Sequence, residues 1–212
     1  MPNYCGNTLT LNHDDPAMIR RAVEAFDRGE FLNEFVPCPK DLCHEDITTW
    51  FKDEEKQKAV ELLKTANQEK YGYESWYEFN IAEWGTKWDV GNSQGINDVS
   101  ENELVVYFDS AWAPPIQAYD ALVNQGFRVH ATYYEPGSAF AGIYDDQGDN
   151  CYNLSGLSSD EARDSLPPEL DDAFGISESI AEYEREEEDE VTTWYKDGVA
   201  DTGLEPHEAP KK

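Results

Sequence analysis

The chain has 212 residues, with 45 Asp and Glu against 16 Lys and Arg, which gives a formal net charge of −29 and a pI of about 4.2. Nucleic-acid backbones and anionic membranes are bound through basic surfaces, so this composition argues against direct binding to either. Hydrophobic residues make up 39% of the chain and aromatic residues 13%, which is enough to build a core and unlike a disordered acidic polymer.

Targeting features are missing from the sequence. No run is long and apolar enough to span a membrane, and the start of the sequence, residues 1–5, shows neither the basic nor the apolar region of a secretion signal. Four cysteines are too few for a disulfide scaffold in a chain of this size. We therefore expect a protein of the reducing cytoplasm, and no residue pattern predicts a cofactor.

The first predicted elements are a strand and a helix. Residues 7–12 alternate polar and apolar side chains, as a half-buried strand does. Asp15 is a good N-terminal cap, Pro16 fits the first helical turn, and Gly29 is a typical helix end. The sequence therefore predicts a helix between Asp15 and Gly29.

The middle of the chain is predicted to carry a helical insertion at about residues 45–84. A loop over residues 34–49 leads into an amphipathic helix over residues 53–70, and a second helix covers residues 74–83. Residues 86–90 are then predicted to form a strand.

The remaining elements predict an α+β fold. Residues 91–102 are polar and are predicted to be a turn region, and Pro114 opens a helix that ends at Gly126. This order predicts a ferredoxin-like split βαβ fold for residues 1–158, an antiparallel sheet with helices on one face and a C-terminal hairpin. The strands predicted in this part cover residues 104–108, 127–134, 139–144 and 151–154.

Four sequence blocks, in their order, resemble one protein family. They are residues 1–7, 84–89, 108–115 and 134–142. Together they resemble the YubB ferredoxin-like (DUF1281) proteins of phages and conjugative plasmids. The resemblance implies a ferredoxin-like fold and a mobile-element origin, but no iron–sulfur cluster and no established activity. Tyr4 and Glu83 stand where the family usually has Trp and Asn.

Residues 159–212 form an acidic C-terminal extension, with 18 acidic and 5 basic residues, that the resemblance does not cover. Seven of the nine residues in 182–190 are acidic. A helix there would approach the linear charge of duplex DNA, one charge per ~1.7 Å. A flexible extension without a partner is the alternative. The predicted partner-binding residues are Asp171, Asp172, Glu182, Glu184, Glu186, Glu187, Glu188, Asp189 and Glu190.

The sequence predicts a non-enzymatic interaction protein of a phage or plasmid. Phosphate-binding loops, zinc-protease motifs, nucleophile elbows and dinucleotide fingerprints are all missing from the sequence, so no catalytic residue is predicted. We expect its partner to be a basic, nucleic-acid-binding defence or restriction complex of the bacterial host, inhibited by DNA or RNA mimicry. A housekeeping role in the mobile element remains open.

The aromatic residues offer an alternative function. A pocket for a small molecule or nucleotide, with binding or processing activity, would use aromatic rings for stacking and a carboxylate for polar contact. Packing of the same rings in the core is the competing interpretation. The alternative pocket residues are Trp84, Trp88, Trp112, Tyr134 and Glu135.

The spacing of Cys38, Cys43 and His44 is marginal for a metal site. Together with Cys5 or Cys151 these side chains could ligate zinc, but the sequence holds no second ligand pair at zinc-site spacing. Free thiols are the favoured interpretation, and no metal is predicted.

Overall fold

The structure, a computed structural model, describes residues 3–187. The chain divides into two units, Met1–Asn153 and Leu154–Lys212. The first unit is a mixed α+β structure with an open sheet of six strands in the order β2-β3-β1-β4-β5-β6, and all neighbouring strands are antiparallel. The strands are β1 (Tyr4–Asn12), β2 (Ile96–Val99), β3 (Glu103–Ala111), β4 (Arg128–Glu135), β5 (Phe140–Asp145) and β6 (Gly148–Asn153).

Helices fill the connections of the first unit. The predicted first helix is confirmed, since the Asp15 carboxylate accepts a hydrogen bond from the Ala17 amide at 2.9 Å and Gly29 ends the helix with φ 73°. A short helix ends just inside the loop predicted over residues 34–49, and the loop contains a 3₁₀ turn over Lys40–Cys43. The helices are α1 (Pro16–Arg28), α2 (Phe31–Phe35), α3 (Glu54–Tyr71), α4 (Trp76–Glu83) and α5 (Ile116–Asn124).

The core lies on one face of the sheet. Leu9 and Leu11 alternate with more exposed residues along β1, and Val106 lies beside Leu9 on β3. Ile19 and Phe26 come from α1 at helical spacing and belong to the same buried cluster. Burial of each such side chain contributes about 1.5–3 kcal/mol, so this layer holds the helices on the sheet.

The strand predicted at residues 86–90 is wrong. Asp89 accepts hydrogen bonds from the amides of Leu32 (2.6 Å) and Asn33 (3.0 Å), and the Thr86 hydroxyl donates to the Ala111 carbonyl at 2.9 Å. Side chains therefore anchor this segment to α2 and β3 in place of a strand ladder. The strand missed by the sequence analysis is β2, whose four mostly exposed residues do not alternate apolar and polar side chains.

The second unit is helical where it is described. It contains α6 (Ser159–Ser165), α7 (Pro168–Phe174) and a helix over residues 176–187, which we call α8. Ser158 and Glu161 form a capping box at the start of α6. Within residues 3–187, no helix combines the length and apolar character needed to cross a membrane.

Candidate functional site

Two predicted partner-binding carboxylates are used inside the second unit. The Asp171 carboxylate accepts hydrogen bonds from the Ser177 amide (2.7 Å) and hydroxyl (2.6 Å), at the start of α8. The Glu184 carboxylate accepts from the Ser159 amide (3.0 Å) and hydroxyl (2.7 Å). These bonds from Ser159 lower the pKa of Glu184. Asp171 and Glu184 therefore stabilise the arrangement of the helices.

The remaining described acids of the prediction are exposed. Glu182 and Glu186 lie four residues apart on α8, and Glu178, which the sequence analysis missed, precedes them at the same spacing. Residues four apart share one helix face, so these three side chains form a row with ~6 Å between steps, which we call the glutamate row. Asp172 and Glu187 are exposed outside it. The spacing i, i+4, i+8 was the signal that would have found Glu178.

The charge of α8 is lower than the prediction for duplex mimicry requires. Residues 176–187 hold five acidic residues and one basic residue over ~18 Å of helix, about one net charge per ~4.5 Å. Each strand of DNA carries one charge per ~3.4 Å of axis, and the duplex one per ~1.7 Å. The described part of α8 therefore approaches the charge density of a single strand. The other predicted acids, Glu188, Asp189 and Glu190, lie outside the described residues.

Two members of the predicted aromatic pocket hold the fold together. Trp84 is only 4% exposed, and its indole nitrogen donates to the Val36 carbonyl at 2.8 Å. Glu135 is 1% exposed, and its carboxylate accepts from the amides of Gly137 (2.8 Å) and Ser138 (2.6 Å). Core packing accounts for Trp84, and Glu135 stabilises the turn that follows β4.

The other three residues of the predicted aromatic pocket are more exposed than Trp84 and Glu135. Trp112 is 53% exposed with φ 74°, and its amide donates to the Asn3 carbonyl at 3.0 Å. Trp88 is half-exposed, with the Lys87 ammonium 4.8 Å from its ring centroid. Tyr134 lies on β4 and is partly buried. None of the five predicted pocket residues lines either of the two cavities described below.

The predicted metal-ligand candidates form a thiol pair. Cys38 and Cys43 have their sulfurs 3.6 Å apart, and the imidazole Nδ1 of His44 accepts a backbone amide at 3.2 Å. Cys5 is buried in β1, and Cys151 is exposed on β6. In the part of the chain that the structure describes, no group of three or more His, Cys, Asp and Glu side chains could hold a metal ion.

A cavity of about 370 Å³ lies at the β6 side of the sheet, and we call it the β6 cavity. The Tyr133 hydroxyl donates a hydrogen bond to Asp149 at 2.6 Å, and the Phe140 ring meets the Tyr133 ring edge-on with 6.2 Å between centroids. The sequence analysis assigned Asp149 to a turn and missed this cavity. Its lining consists of Ile81, Gly85, Ala113, Pro114, Ile116, Gln117, Tyr133, Phe140, Asp149 and Cys151.

A second cavity, of about 430 Å³, lies beside the start of α3. It is mainly apolar, with the Lys56 ammonium 5.9 Å from the centroid of the Phe51 ring. The Asp46 amide donates to Nδ1 of His44 at 3.2 Å at its edge. Its lining residues are His44, Asp46, Phe51, Lys56, Ala59, Val60 and Leu63.

Comparison with known proteins finds similarity at the level of solved structures. No protein-family model matches the chain, and no curated protein sequence matches it. Among solved structures, the chain is similar to the protein api92 from Yersinia pseudotuberculosis, a DUF1281 protein. The similarity covers 74% of this chain and 100% of that chain, with 11% identity and a TM-score of 0.36.

Proposed function

We propose that this chain is a non-enzymatic acidic interaction protein that binds a basic nucleic-acid-binding protein and occupies its DNA or RNA site. The observation that carries this proposal is the glutamate row, three exposed carboxylates on one helix face in a chain of net charge −29. No described basic residue forms an ion pair with the row. Clustered charge of one sign attracts basic partners and directs their approach.

The proposal extends to the origin and family of the protein. We propose that it is a phage or plasmid protein of the DUF1281 family, acting in the bacterial cytoplasm on a host defence or restriction complex. The four sequence blocks given above support the family. The antiparallel order β2-β3-β1-β4, with α1 between β1 and β2 and α5 between β3 and β4, supports a ferredoxin-like split βαβ arrangement for these strands.

A triple variant of the glutamate row tests the proposal. The full chain and the variant Glu178→Gln, Glu182→Gln, Glu186→Gln serve as baits in a bacterial lysate, and retained proteins are quantified by mass spectrometry. A retained nucleic-acid-binding protein is then purified and titrated against a labelled duplex or single strand, with the chain as competitor. We expect the chain to displace the nucleic acid. The variant should bind about tenfold or more weakly, since each of three charge contacts contributes ~0.5–1 kcal/mol.

A control variant removes the same charge elsewhere. Glu24, Glu69 and Glu101 are exposed acids of the first unit, and their change to Gln lowers the net charge by the same three units. Binding by this control should stay within about twofold of the original chain. Equal weakening by both variants, or a partner that binds the chain and nucleic acid simultaneously, would contradict the mimicry proposal.

The alternative function, a pocket for a small molecule or nucleotide built from Trp84, Trp88, Trp112, Tyr134 and Glu135, stays a prediction. Its separate test is thermal unfolding in the presence of nucleotides. A ligand-induced rise in unfolding temperature that Trp112→Ala abolishes would favour it over the acidic surface.

A further inference from the structure

The β6 cavity has the composition of a ligand site. Its volume of about 370 Å³ falls at the small end of the ~300–1,000 Å³ typical of such sites, and most of its lining is apolar or aromatic. Asp149 is the single charged side chain among the lining residues. A cavity of this size has room for a small ligand or a single side chain.

The polar side chains of the cavity include one charged hydrogen-bond acceptor. The Tyr133 hydroxyl donates a hydrogen bond to one carboxylate oxygen of Asp149, and the Cys151 side chain is a second hydrogen-bond partner of this hydroxyl. Burial and then the hydrogen bond with Asp149 raise the pKa of Tyr133, which keeps the hydroxyl protonated. Asp149 has a second carboxylate oxygen, and the Gln117 amide can accept or donate. A complementary ligand therefore brings donors and positive charge.

Two glycines shape the walls of the cavity. A Cβ at Gly142 on β5 would overlap the hydroxyl and ring of Tyr133, so the missing side chain lets that ring lie across the strand. A Cβ at Gly85 would overlap the amide oxygen of Gln117. The rings of Tyr133 and Phe140 thus line the cavity together with Asp149. Aromatic faces next to a carboxylate favour cations.

We propose that the β6 cavity binds an alkylguanidinium group, the side chain of an arginine presented by a peptide or protein. A guanidinium matches this lining better than an ammonium, because its planar donors pair with a carboxylate in two parallel hydrogen bonds and its face stacks on aromatic rings. The inference goes beyond the proposed function, since every lining residue belongs to Met1–Asn153 and the glutamate row does not.

Titration of the full chain with N-acetyl-L-arginine amide, followed by NMR of backbone amides, tests the site. The matched probe is N-acetyl-L-citrulline amide, which has nearly the same shape without the charge. We expect the amide signals of Gln117, Asp149 and Cys151 to shift with the arginine probe and to stay in place with citrulline. Asp149→Asn should weaken binding by about tenfold or more, because it removes a charge-assisted pair.

The control is Asp146→Asn, which removes an exposed carboxylate from the same hairpin outside the cavity lining. It should bind the arginine probe within about twofold of the original chain. Phe140→Leu keeps the carboxylate and loses a ring, so it should bind the arginine probe more weakly while still preferring arginine to citrulline. This variant tests the site if Asp149→Asn does not fold. Equal loss in Asp149→Asn and Asp146→Asn, equal binding of citrulline, or no arginine-induced shift at millimolar probe would overturn the proposal. None of these results depends on the partner of the glutamate row.

Discussion

Glu135 and Asp89 show, at the scale of single residues, how a very acidic chain uses carboxylates as internal structure. Both accept backbone hydrogen bonds, Glu135 from the turn after β4 and Asp89 from the first turn of α2. Burial raises the pKa of Asp89, while its backbone hydrogen bonds act in the opposite direction. Such acids contribute to the net charge of −29 in the same way as exposed acids, but they do not belong to a partner-binding surface.

The turn role of Glu135 predicts the effect of its replacement. In Glu135→Leu the amides of Gly137 and Ser138 lose two charge-assisted hydrogen bonds, which should cost about 1–3 kcal/mol in the free energy of unfolding. Urea unfolding followed by circular dichroism measures this cost. Glu135→Gln keeps one acceptor oxygen and should lose less. Equal stability of Glu135→Leu and the original chain would show that the turn does not need the carboxylate.

The Glu184–Ser159 contact predicts a pH dependence. The hydroxyl and amide of Ser159 lower the pKa of Glu184 below its ordinary value of 4.5. A lowered pKa in the folded state means that the ionised carboxylate stabilises the fold above pH 4.5, and that this contribution disappears as the pH falls through the folded pKa. NMR titration of the side-chain carboxyl should therefore give a higher pKa for Glu184 in Ser159→Ala. An unchanged pKa would mean that the hydroxyl does not hold Glu184.

At the scale of elements, the packing of β4 on β5 depends on Gly142. Gly142→Ala places a methyl group against Tyr133 and should destabilise the fold by about 1–3 kcal/mol, as overpacking does. In a Tyr133→Leu background the contact with Tyr133 is relieved, while the Asn150 carbonyl still lies 2.7 Å from the added Cβ, so the same substitution should cost less without becoming neutral. Chemical unfolding of the four proteins measures the coupling. Additive costs would show that Tyr133 is not the obstacle.

Sequence patterns predicted the elements that have local signals. Asp15, Pro16 and Gly29 mark a helix through capping chemistry, and the apolar alternation of β1 marks a strand. The pattern of residues 86–90 wrongly predicted a strand. Thr86 and Asp89 make hydrogen bonds to residues distant in the sequence, and local propensity does not encode such bonds. The edge strand β2 has apolar residues at its two ends, Ile96 and Val99, and therefore lacks the apolar alternation of a strand.

For the candidate sites too, local features could be predicted from the sequence and distant contacts could not. The acidic character of residues 182–190 was visible in the sequence, but the pairing of Glu184 with Ser159 and of Asp171 with Ser177 is a product of helix packing. The β6 cavity joins Gln117 of α5 to Tyr133 of β4 and Asp149 of β6. Contacts between residues so far apart in the chain depend on strand register, which a single sequence does not specify in detail.

At the scale of the whole molecule, charge repulsion opposes folding. With 45 acidic and 16 basic residues, each base could neutralise one acid and 29 negative charges would remain. Several basic residues form ion pairs with nearby acids. Arg21 pairs with Glu34 at 2.6 Å, and Arg28 pairs with the same carboxylate at 3.1 Å. Unfolding moves the excess carboxylates apart, so the repulsion among them is larger in the folded state.

This repulsion predicts that salt stabilises the protein. The Debye length falls from ~30 Å at 0.01 M to ~8 Å at 0.15 M, so added salt screens the excess carboxylates from one another. The unfolding temperature should rise by about 5 °C or more between these concentrations, which corresponds to ~1–2 kcal/mol in a chain of this length. Sodium chloride and choline chloride should act alike, because screening depends on ionic strength and not on the cation. A rise with sodium alone would indicate a specific cation site, and a fall with both salts would mean that attractive ion pairs dominate the folded state.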